Sequence, residues 1–349
     1  MESATYRCLS CGAPLSFSIE KQNWACEFCL SEFTLEELTA QTQGQEQKFE
    51  SDTPPQIFED ENGVAAFECP SCGGRIITDE NTTATFCVYC HSPAIIFSRL
   101  RGEGKPQWIL PFKLPKTEAV AAVQKLCKGK PFLPKDFKNS VTKGEVSGLY
   151  VPFWLFSSKI AARMKAEGQD ITRWSDSNYN YTTVKKYEVL RAAEMDFANI
   201  PADGSAKMDD ALMEGMEPYD YTDMRPFSME YVSGHYAESY DVEAPKVQER
   251  INTRIRSGAE SILKEDATGY TTVHVQEMTV STNSMKHEYA LLPVWTLMHE
   301  YGGKRYYFAM NGQTGKMVGK LPFSWKKVAM YFGGSWLLAF AIFLVAVVL

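Results

Sequence analysis

Apolar residues recur at intervals of three and four in two stretches of the chain, and this spacing predicts a helix in each. In Lys116–Cys127 the apolar positions form one face. In Val242–Lys264 they are interleaved with basic residues, as in a helix that packs one face against a core. The apolar positions are Val120, Val123, Leu126 and Cys127 in the first stretch, and Val247, Ile251, Ile255 and Ile262 in the second.

Elsewhere between residues 106 and 325 the chain alternates apolar and polar residues or forms short apolar runs, which predicts strands. Gly302-Gly303 and the segment 311–315 are typical of hairpin turns. Together, the helices and strands predict an α+β domain with an antiparallel sheet over residues 106–325. The expected strands are Leu149–Arg163, Thr182–Asn199, Thr271–Thr282, Lys286–His299 and Lys304–Met310.

The strand region contains a repeated motif. Leu149–Trp154 reads LYVPFW, and Ala290–Trp295, 141 positions later, reads ALLPVW. Each copy follows one of the predicted helices, so the domain is expected to consist of two diverged halves. Coincidence between two apolar strand starts is the alternative.

Three segments are expected to be irregular. Residues 41–65 are acidic, contain Pro54-Pro55 and predict a flexible linker. Arg99–Lys105 contains two glycines and predicts a hinge into the large domain. Asp203–Asp223 is acidic and rich in methionine, and an exposed loop is expected there.

The residues from Val328 to Leu349 contain no charged side chain. As a helix they would be about 33 Å long, enough to cross the hydrocarbon core of a bilayer, which is about 30 Å thick. Trp325, Tyr331 and Trp336 near its start are typical of an interfacial aromatic belt. Residues 328–349 are therefore predicted to form a transmembrane helix, against the alternative of a buried core helix.

Charge around this segment predicts its orientation. Lys316, Lys320, Lys326 and Lys327 precede it, and no charge follows it. By the positive-inside rule the N-terminal part is expected in the cytoplasm, in a single-pass, tail-anchored topology. The N-terminus also lacks the apolar core of a signal peptide.

Eight of the nine cysteines form four Cys-x-x-Cys pairs in the first 90 residues, and each cysteine of the first set recurs 61 positions later. Fourteen residues separate the two pairs of each set. This spacing predicts two tandem four-cysteine zinc ribbons over residues 1–40 and 66–98, each with one structural Zn²⁺. The predicted ligands are Cys8, Cys11, Cys26 and Cys29 in the first ribbon, and Cys69, Cys72, Cys87 and Cys90 in the second.

Local signals support both ribbons. Gly12 and Gly73 follow a first pair, where positive φ turns backbone N–H groups toward sulfur. Hairpins are expected between the pairs, with strands at 15–19 and 24–25 in the first ribbon and at 75–78 and 83–86 in the second. Thr34 and Glu37 form a capping box, which predicts a short helix through Leu38.

Other uses of these cysteines fit less well. Disulfides would not require paired, repeated spacing. Four thiolates leave no open position for a catalytic zinc. His91 follows Cys90 and could replace it as a ligand, but a surface histidine beside a complete four-thiolate site is the simpler interpretation. Cys127 is predicted to be a buried core thiol.

Net charge argues against a nucleic-acid partner. The chain carries −7 overall, and residues 1–104 contain 6 Lys+Arg and 16 Asp+Glu. Four thiolates around one Zn²⁺ add about −2 more at each site. Because nucleic-acid affinity depends on cations that neutralise phosphates, the ribbons are not expected to bind nucleic acid.

The sequence gives no reason to expect an enzyme. None of the five histidines lies in a His-Glu-x-x-His motif, and neither Gly-x-Ser-x-Gly nor a Walker phosphate loop occurs. His299 and Glu300 would point to opposite faces of their strand. The segment 311–315 resembles a phosphate cradle, but its flanking strands favour a hairpin.

The tandem Cys-x-x-Cys sets, the terminal apolar segment and the stretch Leu291–Pro322 (LLPVWTLMHEYGGKRYYFAMNGQTGKMVGKLP) resemble a bacterial family of membrane-anchored double-zinc-ribbon proteins. Members are often labelled transcription-factor-IIB-type zinc-ribbon proteins. The resemblance covers essentially the whole chain, and Leu291–Pro322 is fairly specific. In some Firmicutes a relative is encoded beside a phage-shock-protein-A-type membrane-remodelling protein and an SPFH-domain protein. The resemblance implies that the family tethers such partners to the membrane during envelope stress, and it implies no catalytic residues.

These observations predict a non-catalytic, membrane-anchored zinc-binding adaptor. Its ribbons would face cytoplasmic or membrane-associated protein partners. The alternatives are a nucleic-acid-binding regulator held at the membrane, and an enzymatic or ligand-binding role of residues 106–325.

Overall fold

The computed structural model describes residues 3–4, 6–40, 58–59, 64–69, 72, 75–79, 81–87, 90–96, 104–141 and 146–348. Most of the predicted linker at 41–65 lies outside the described residues, and so does the predicted hinge up to residue 103. Two described parts of the linker segment, 58–59 and 64–65, belong to strands.

The elements are numbered in chain order. The helices are α1 (35–40), α2 (Lys116–Cys127), α3 (Lys135–Ser140), α4 (Asp210–Gly215), α5 (Ala244–Asp266) and α6 (Trp325–Val348). The strands are β1 (Ser3–Ala4), β2 (Ser16–Ser18), β3 (Asn23–Ala25), β4 (Glu32–Phe33), β5 (Phe58–Glu59), β6 (Val64–Glu68), β7 (Arg75–Asp79), β8 (Thr82–Phe86), β9 (Pro93–Ile96), β10 (Trp108–Ile109), β11 (Val146–Ser175), β12 (Asn180–Asp203), β13 (Arg225–Pro226), β14 (Tyr236–Glu238), β15 (Thr272–Tyr301), β16 (Lys304–Asn311) and β17 (Met317–Gly319).

Long antiparallel strands form the centre of the main sheet. β11 pairs with β12 and β15, and β15 pairs with β16 through the predicted Gly302-Gly303 turn. The two strands expected at Thr271–Thr282 and Lys286–His299 are one strand of 30 residues. β15 stays paired with β11 across the expected gap, and a register irregularity opposite Lys159 and Ile160 absorbs the extra residue.

The two copies of the repeated motif lie side by side in this sheet. Leu149 pairs with Val294 and Phe153 pairs with Ala290, so the copies cross within the β11–β15 pair. Each copy also pairs with a short parallel strand. β14 runs parallel to β11 at Leu149, and β10 runs parallel to β15 at Ala290. Each copy thus follows a short strand and a helix and precedes a strand that pairs with its own: the orders are β10–α2–β11–β12, with α3 inserted, and β14–α5–β15–β16.

One face of the sheet packs against α2 and α5. The bounds predicted for α2 are those observed, and α5 begins two residues after its predicted start. Buried positions of both helices share one core with Tyr150 and Trp154 of β11 and Trp295 of β15. These aromatic side chains fill the space between helices and sheet, where burial of apolar area supplies most of the stabilisation.

The opposite face is covered by the segment that was expected to be an exposed loop. That expectation for Asp203–Asp223 was wrong, because the segment contains α4 and buries Met213, Met216 and Tyr219 against the sheet. The Asn311 side chain donates hydrogen bonds to the carbonyls of Met216 and Pro218 and thereby ties the 311–315 turn to this segment. Flexible methionines fill an irregular surface here, which explains a composition that is unusual for a solvated loop.

Beyond the region that is covered on both faces, β11, β12 and β15 continue as a three-stranded arm that ends at residues 176–179. α5 covers one face of the arm, where Ala162 and Met164 are buried. The other face carries exposed Lys159, Arg163 and Lys165. The arm therefore presents a polar face on a backbone fixed by continuous strand pairing.

α6 is the one helix among the described residues that is long and apolar enough to cross a membrane. The most apolar 18-residue window of this helix has a mean hydropathy of 2.0, and none of that window is buried in the protein. The helix begins three residues before the predicted span, so Lys326 and Lys327 lie in its first turn.

Candidate metal centres

The first set of cysteines comes together at two turns that flank the β2–β3 hairpin. All four Sγ atoms of Cys8, Cys11, Cys26 and Cys29 lie within 4.8 Å of one another. The Sγ of Cys8 is 3.4 Å from that of Cys29, and the Sγ of Cys11 is 3.6 Å from that of Cys26. Cys8 and Cys26 are buried, whereas Cys11 and Cys29 are exposed. We call this group the first cluster, and residues 6–40 the first unit.

The second set forms an equivalent group, the second cluster. Its Sγ atoms also lie within 4.8 Å of one another. The distances are 3.7 Å between Cys69 and Cys90 and 3.7 Å between Cys72 and Cys87. Cys69 and Cys87 are buried, and the other two cysteines are exposed, so the clusters share one pattern of burial.

These distances fit one tetrahedral metal ion in each cluster. Four sulfurs at about 2.3 Å from an ion lie about 3.8 Å apart, close to the observed separations of 3.4 to 3.7 Å. The sulfurs are much farther apart than the roughly 2.05 Å of a disulfide, and none of these eight cysteines is in a disulfide. Each cluster could therefore hold a metal ion through four sulfurs, the ligand set of a closed structural site.

The turns that carry the second pair of cysteines share two backbone features in both clusters. The amides of Leu30 and His91 each donate a 2.9 Å hydrogen bond to the carbonyls of Cys26 and Cys87. Leu30 has a φ of 61° and His91 a φ of 56°, in the left-handed region that non-glycine residues rarely adopt. The turn thus places both sulfurs of a pair on one side at some cost in backbone strain.

At the first pair, a glycine provides the corresponding turn. Gly12 has a φ of 76°, as its position predicted, and its amide donates to the carbonyl of Cys8 at 2.8 Å. The equivalent Gly73 lies outside the described residues. The capping box also forms, since the Thr34 amide donates to the Glu37 carboxylate at 2.8 Å at the start of α1.

In each cluster, a serine two positions after the last cysteine lowers the pKa of that cysteine. The hydroxyl of Ser31 lies 3.3 Å from the Sγ of Cys29. Hydrogen bonds from the Ser31 hydroxyl and amide lower the pKa of Cys29 to about 6. Ser92 lowers the pKa of Cys90 to about 6 in the same way. These serines favour the thiolate that a metal requires, and although they were not predicted, their spacing of 61 positions repeats that of the cysteines.

The two remaining candidates play no part in the clusters. His91 is exposed, and the second cluster consists of the four cysteines without it. Cys127 is buried on α2, as predicted, and burial raises the pKa of its thiol.

The first unit packs firmly on the large domain. The indole Nε1–H of Trp24 donates to the carbonyl of Glu230 at 2.9 Å, and the Phe17 amide donates to the carbonyl of Ser233 at 3.1 Å. The rings of Phe17 and Trp24 also contact Tyr231. The short helix Met229–Val232 thus serves as a platform for the β2–β4 sheet.

The described residues between 64 and 96 form the second unit, and its strand β8 joins the main sheet directly. Ala84 of β8 pairs with Ala237 of β14, and the Asn81 side chain donates to Asp241 at 2.9 Å. The hairpin expected between 75–78 and 83–86 does not form, although strands occur at both places. β8 has β9 and β14 as neighbours, so both of its edges are occupied and β7 pairs with β6 instead.

The outer side of the first cluster is apolar and exposed. Leu9 lies between Cys8 and Cys11, and Phe28 and Leu30 flank Cys29. Their exposed fractions are 42%, 75% and 79%. We call these three side chains the knuckle face. Their positions are set by the turns that hold the sulfurs.

The fold and its clusters define a class of protein: a sheet-rich domain with two four-cysteine clusters packed on it and an apolar helix after it. Comparison with protein-family models gives no match, and no solved structure matches significantly. Among curated proteins, the uncharacterized protein YdjG of Bacillus subtilis (strain 168) is 32% identical to the chain over 330 residues, which cover 95% of the chain and 93% of YdjG. The chain therefore belongs to the YdjG family.

Proposed function

We propose that the protein is a non-catalytic, membrane-anchored zinc-binding adaptor. α6 anchors it, and the knuckle face of the first cluster binds a protein partner. The observation that carries the proposal is the exposure of Leu9, Phe28 and Leu30 on turns that a metal ion would hold rigid. Large apolar side chains on a preorganised surface are typical of binding hot spots.

Zinc is the ion that best suits the clusters. Four thiolates at tetrahedral distances suit Zn²⁺, and such a closed site is structural. The ions would stabilise two small units that bury little apolar surface of their own. In a reducing compartment the eight thiols would remain available to metal rather than form disulfides.

The orientation follows from charge. Lys326 and Lys327 in the first turn of α6 favour a cytoplasmic location for everything that precedes the helix. The zinc units would then face the cytoplasm. Their acidic character, with 6 Lys+Arg against 16 Asp+Glu in residues 1–104, favours a protein partner with a basic rim around an apolar pocket and disfavours nucleic acid.

The family resemblance suggests the class of partner. A phage-shock-protein-A-type protein or an SPFH-domain protein acts at the cytoplasmic side of a membrane, where this orientation would place the knuckle face. The adaptor would hold such a protein near the bilayer during envelope stress.

The test is purification of the full-length protein from its own membranes in mild detergent, followed by identification of co-purifying proteins. Variants Phe28→Ser and Leu30→Asn remove the two most exposed side chains of the knuckle face without touching a sulfur, and asparagine tolerates the positive φ at position 30. Tyr179→Ser, at an exposed aromatic of the arm tip, is the matched control. Metal content and thermal stability are measured for all three.

Loss of one set of partners in the knuckle variants, with metal content unchanged and partners retained in Tyr179→Ser, would support the adaptor. Equal recovery from all forms would refute it. The next candidate would then be a ligand-binding role, with the open groove of about 530 Å³ on the arm as the site. Arg163, Lys165 and Leu190 form part of its lining.

A further inference from the structure

Two lysine-rich segments, distant in sequence, converge where α6 begins. Residues 125–138 contain five lysines and one aspartate, and residues 316–327 contain four lysines and no acidic residue. The chain as a whole carries −7, so this basic region stands out against an acidic protein. We call residues 128–133 and 320–327 together the collar.

Direct contacts join the two segments of the collar. The Ser324 amide donates to the carbonyl of Phe132 at 2.8 Å, and the Lys327 ammonium donates to the carbonyl of Leu133 at 2.6 Å. The ring of Phe132 meets that of Tyr331 edge-on, with centroids 5.5 Å apart. The loop 128–133 therefore lies beside the first two turns of α6.

The collar also exposes large apolar side chains. The exposed fractions are 41% for Phe132, 57% for Phe323 and 73% for Trp325. A shallow, mainly apolar groove of about 170 Å³ lies between residues 130–133 and 321–323. Exposed aromatic rings surrounded by lysines, at the start of an apolar helix, have the composition of a surface that enters the headgroup region of a bilayer.

We propose that the collar is a second membrane contact, specific for anionic phospholipids. Phe132 and Phe323 enter the interfacial layer, and Lys128, Lys130 and Lys320 bind lipid phosphates. The proposal rests on the membrane anchoring by α6 proposed above. It adds that the large domain lies against the bilayer in one orientation, rather than turning freely about the helix.

The contact between the collar and α6 favours lipid over a protein as the ligand of the collar. Tyr331 belongs to the apolar helix, and Phe132 contacts it, so Phe132 lies at the level where the helix enters the interface. Any bilayer that holds α6 also meets the loop 128–133. Lysines at that level face the negative surface potential of an anionic leaflet.

The test uses the full-length protein in nanodiscs of phosphatidylcholine alone, or of phosphatidylcholine with phosphatidylglycerol. Acylation rates of individual lysines are measured by mass spectrometry. We expect Lys128, Lys130 and Lys320 to react at least about threefold more slowly in the anionic nanodiscs, and the difference to vanish at about 1 M salt. Lys185, exposed on the arm, should react equally in both and serves as the internal control.

Variants separate contact with lipid from a structural effect. The double variant Phe132→Ser, Phe323→Ser should lose most of the lipid-dependent protection, whereas Tyr179→Ser should keep it. Equal lysine reactivity in both nanodisc types would overturn the proposal even if the protein is fully incorporated. Failure to incorporate would refute the anchor itself, and the collar proposal with it. Neither result depends on whether a protein partner binds the knuckle face.

Discussion

The imidazole of His235 stacks on the ring of Phe112, with centroids 4.7 Å apart and an interplanar angle of 12°. The edge of Tyr150 meets the same imidazole at 5.6 Å. Burial among these rings lowers the pKa of His235 to about 4. A histidine held neutral in the folded state makes stability depend on pH.

The direction of this pH dependence follows from the pKa of His235 in the unfolded and folded states. In the unfolded chain His235 binds a proton near pH 6.5, and in the folded chain only near pH 4. Stability should therefore fall as pH drops through this window, by about 2 kcal/mol from this group between about pH 7.5 and about pH 5. Denaturant unfolding at several pH values measures it.

His235→Phe keeps an aromatic ring on Phe112 but has nothing to protonate. Its pH profile should be flatter than that of the wild type by the same amount. Metal release in acid affects both proteins, so the difference between them isolates His235. Parallel profiles would show that the buried imidazole does not control acid stability.

The clusters make a prediction about metal content. Cys26→Ser should halve the bound metal, because it removes one of four sulfurs from the first cluster and leaves the second intact. Cys127→Ser is the matched control, since Cys127 is buried yet belongs to neither cluster, and it should retain all the metal. Elemental analysis of the purified proteins measures the metal bound per chain. Equal loss of metal in both variants would contradict the assignment of Cys26 as a metal ligand.

The packing of the first unit on the large domain can be tested with a pair of glycines. Gly234 and Gly269 have φ of 87° and 90°, so alanine at either position meets similar backbone strain. A Cβ at Gly234 would also lie 2.8 Å from the Cβ of Ser16, whereas Gly269 has no neighbour within 4 Å. We expect Gly269→Ala to cost about 1 kcal/mol and Gly234→Ala to cost clearly more.

Adding Ser16→Gly to Gly234→Ala removes the clashing atom. The double variant should regain the stability of Gly269→Ala, less the small cost of a new glycine. Thermal unfolding, followed by circular dichroism under identical conditions, measures the stability of each variant. If the two alanine variants are equally stable, the first unit does not pack on Gly234 as described.

A buried ion pair links α5 to the end of β12. Arg250 donates to Asp203 at 3.0 Å, and Asp203 is only 3% exposed. Arg250→Met would leave a buried carboxylate without its cation and should cost about 3 kcal/mol at neutral pH. Arg191→Met, which breaks an exposed pair with Asp266, should cost less than about 1 kcal/mol.

Lowering the pH should reduce the loss of stability that Arg250→Met causes. Burial raises the pKa of Asp203 to about 6 even with Arg250 present, so the folded state holds this proton more tightly than the unfolded state. Stability from Asp203 is thus gained as pH falls through about 6 and lost as pH rises. Denaturant unfolding measures the loss of stability that Arg250→Met causes relative to the wild type, and this loss should be smaller at about pH 5 than at neutral pH. A constant deficit would mean that Asp203 remains charged.

Local patterns predicted the local structure well. The bounds of α2, the capping box of Thr34 and the grouping of eight cysteines depend on residues a few positions apart, or on spacing that one metal site imposes. The alternating stretches indicated most long strands. They could not show that β15 continues through residues 283–285, because continuity there comes from pairing with β11.

Contacts between distant segments escaped prediction. Asp203–Asp223 reads as polar and exposed, and only the surface formed by β11 and β15 gives its methionines a place to be buried. Both edges of β8 are occupied by strands that sequence alone does not place beside it. The collar unites residues near 130 with residues near 325, and neither segment alone indicates a surface.

The hydrogen bond from Trp24 to Glu230 joins residues 206 positions apart. A ribosome that adds about 5–20 residues per second needs about 10–40 s to synthesise the intervening chain. During that interval the first cluster has all four sulfurs but no platform on which to pack. Metal loading of the nascent chain would keep this unit folded while it waits, so zinc supply during synthesis would affect how much chain reaches the native state.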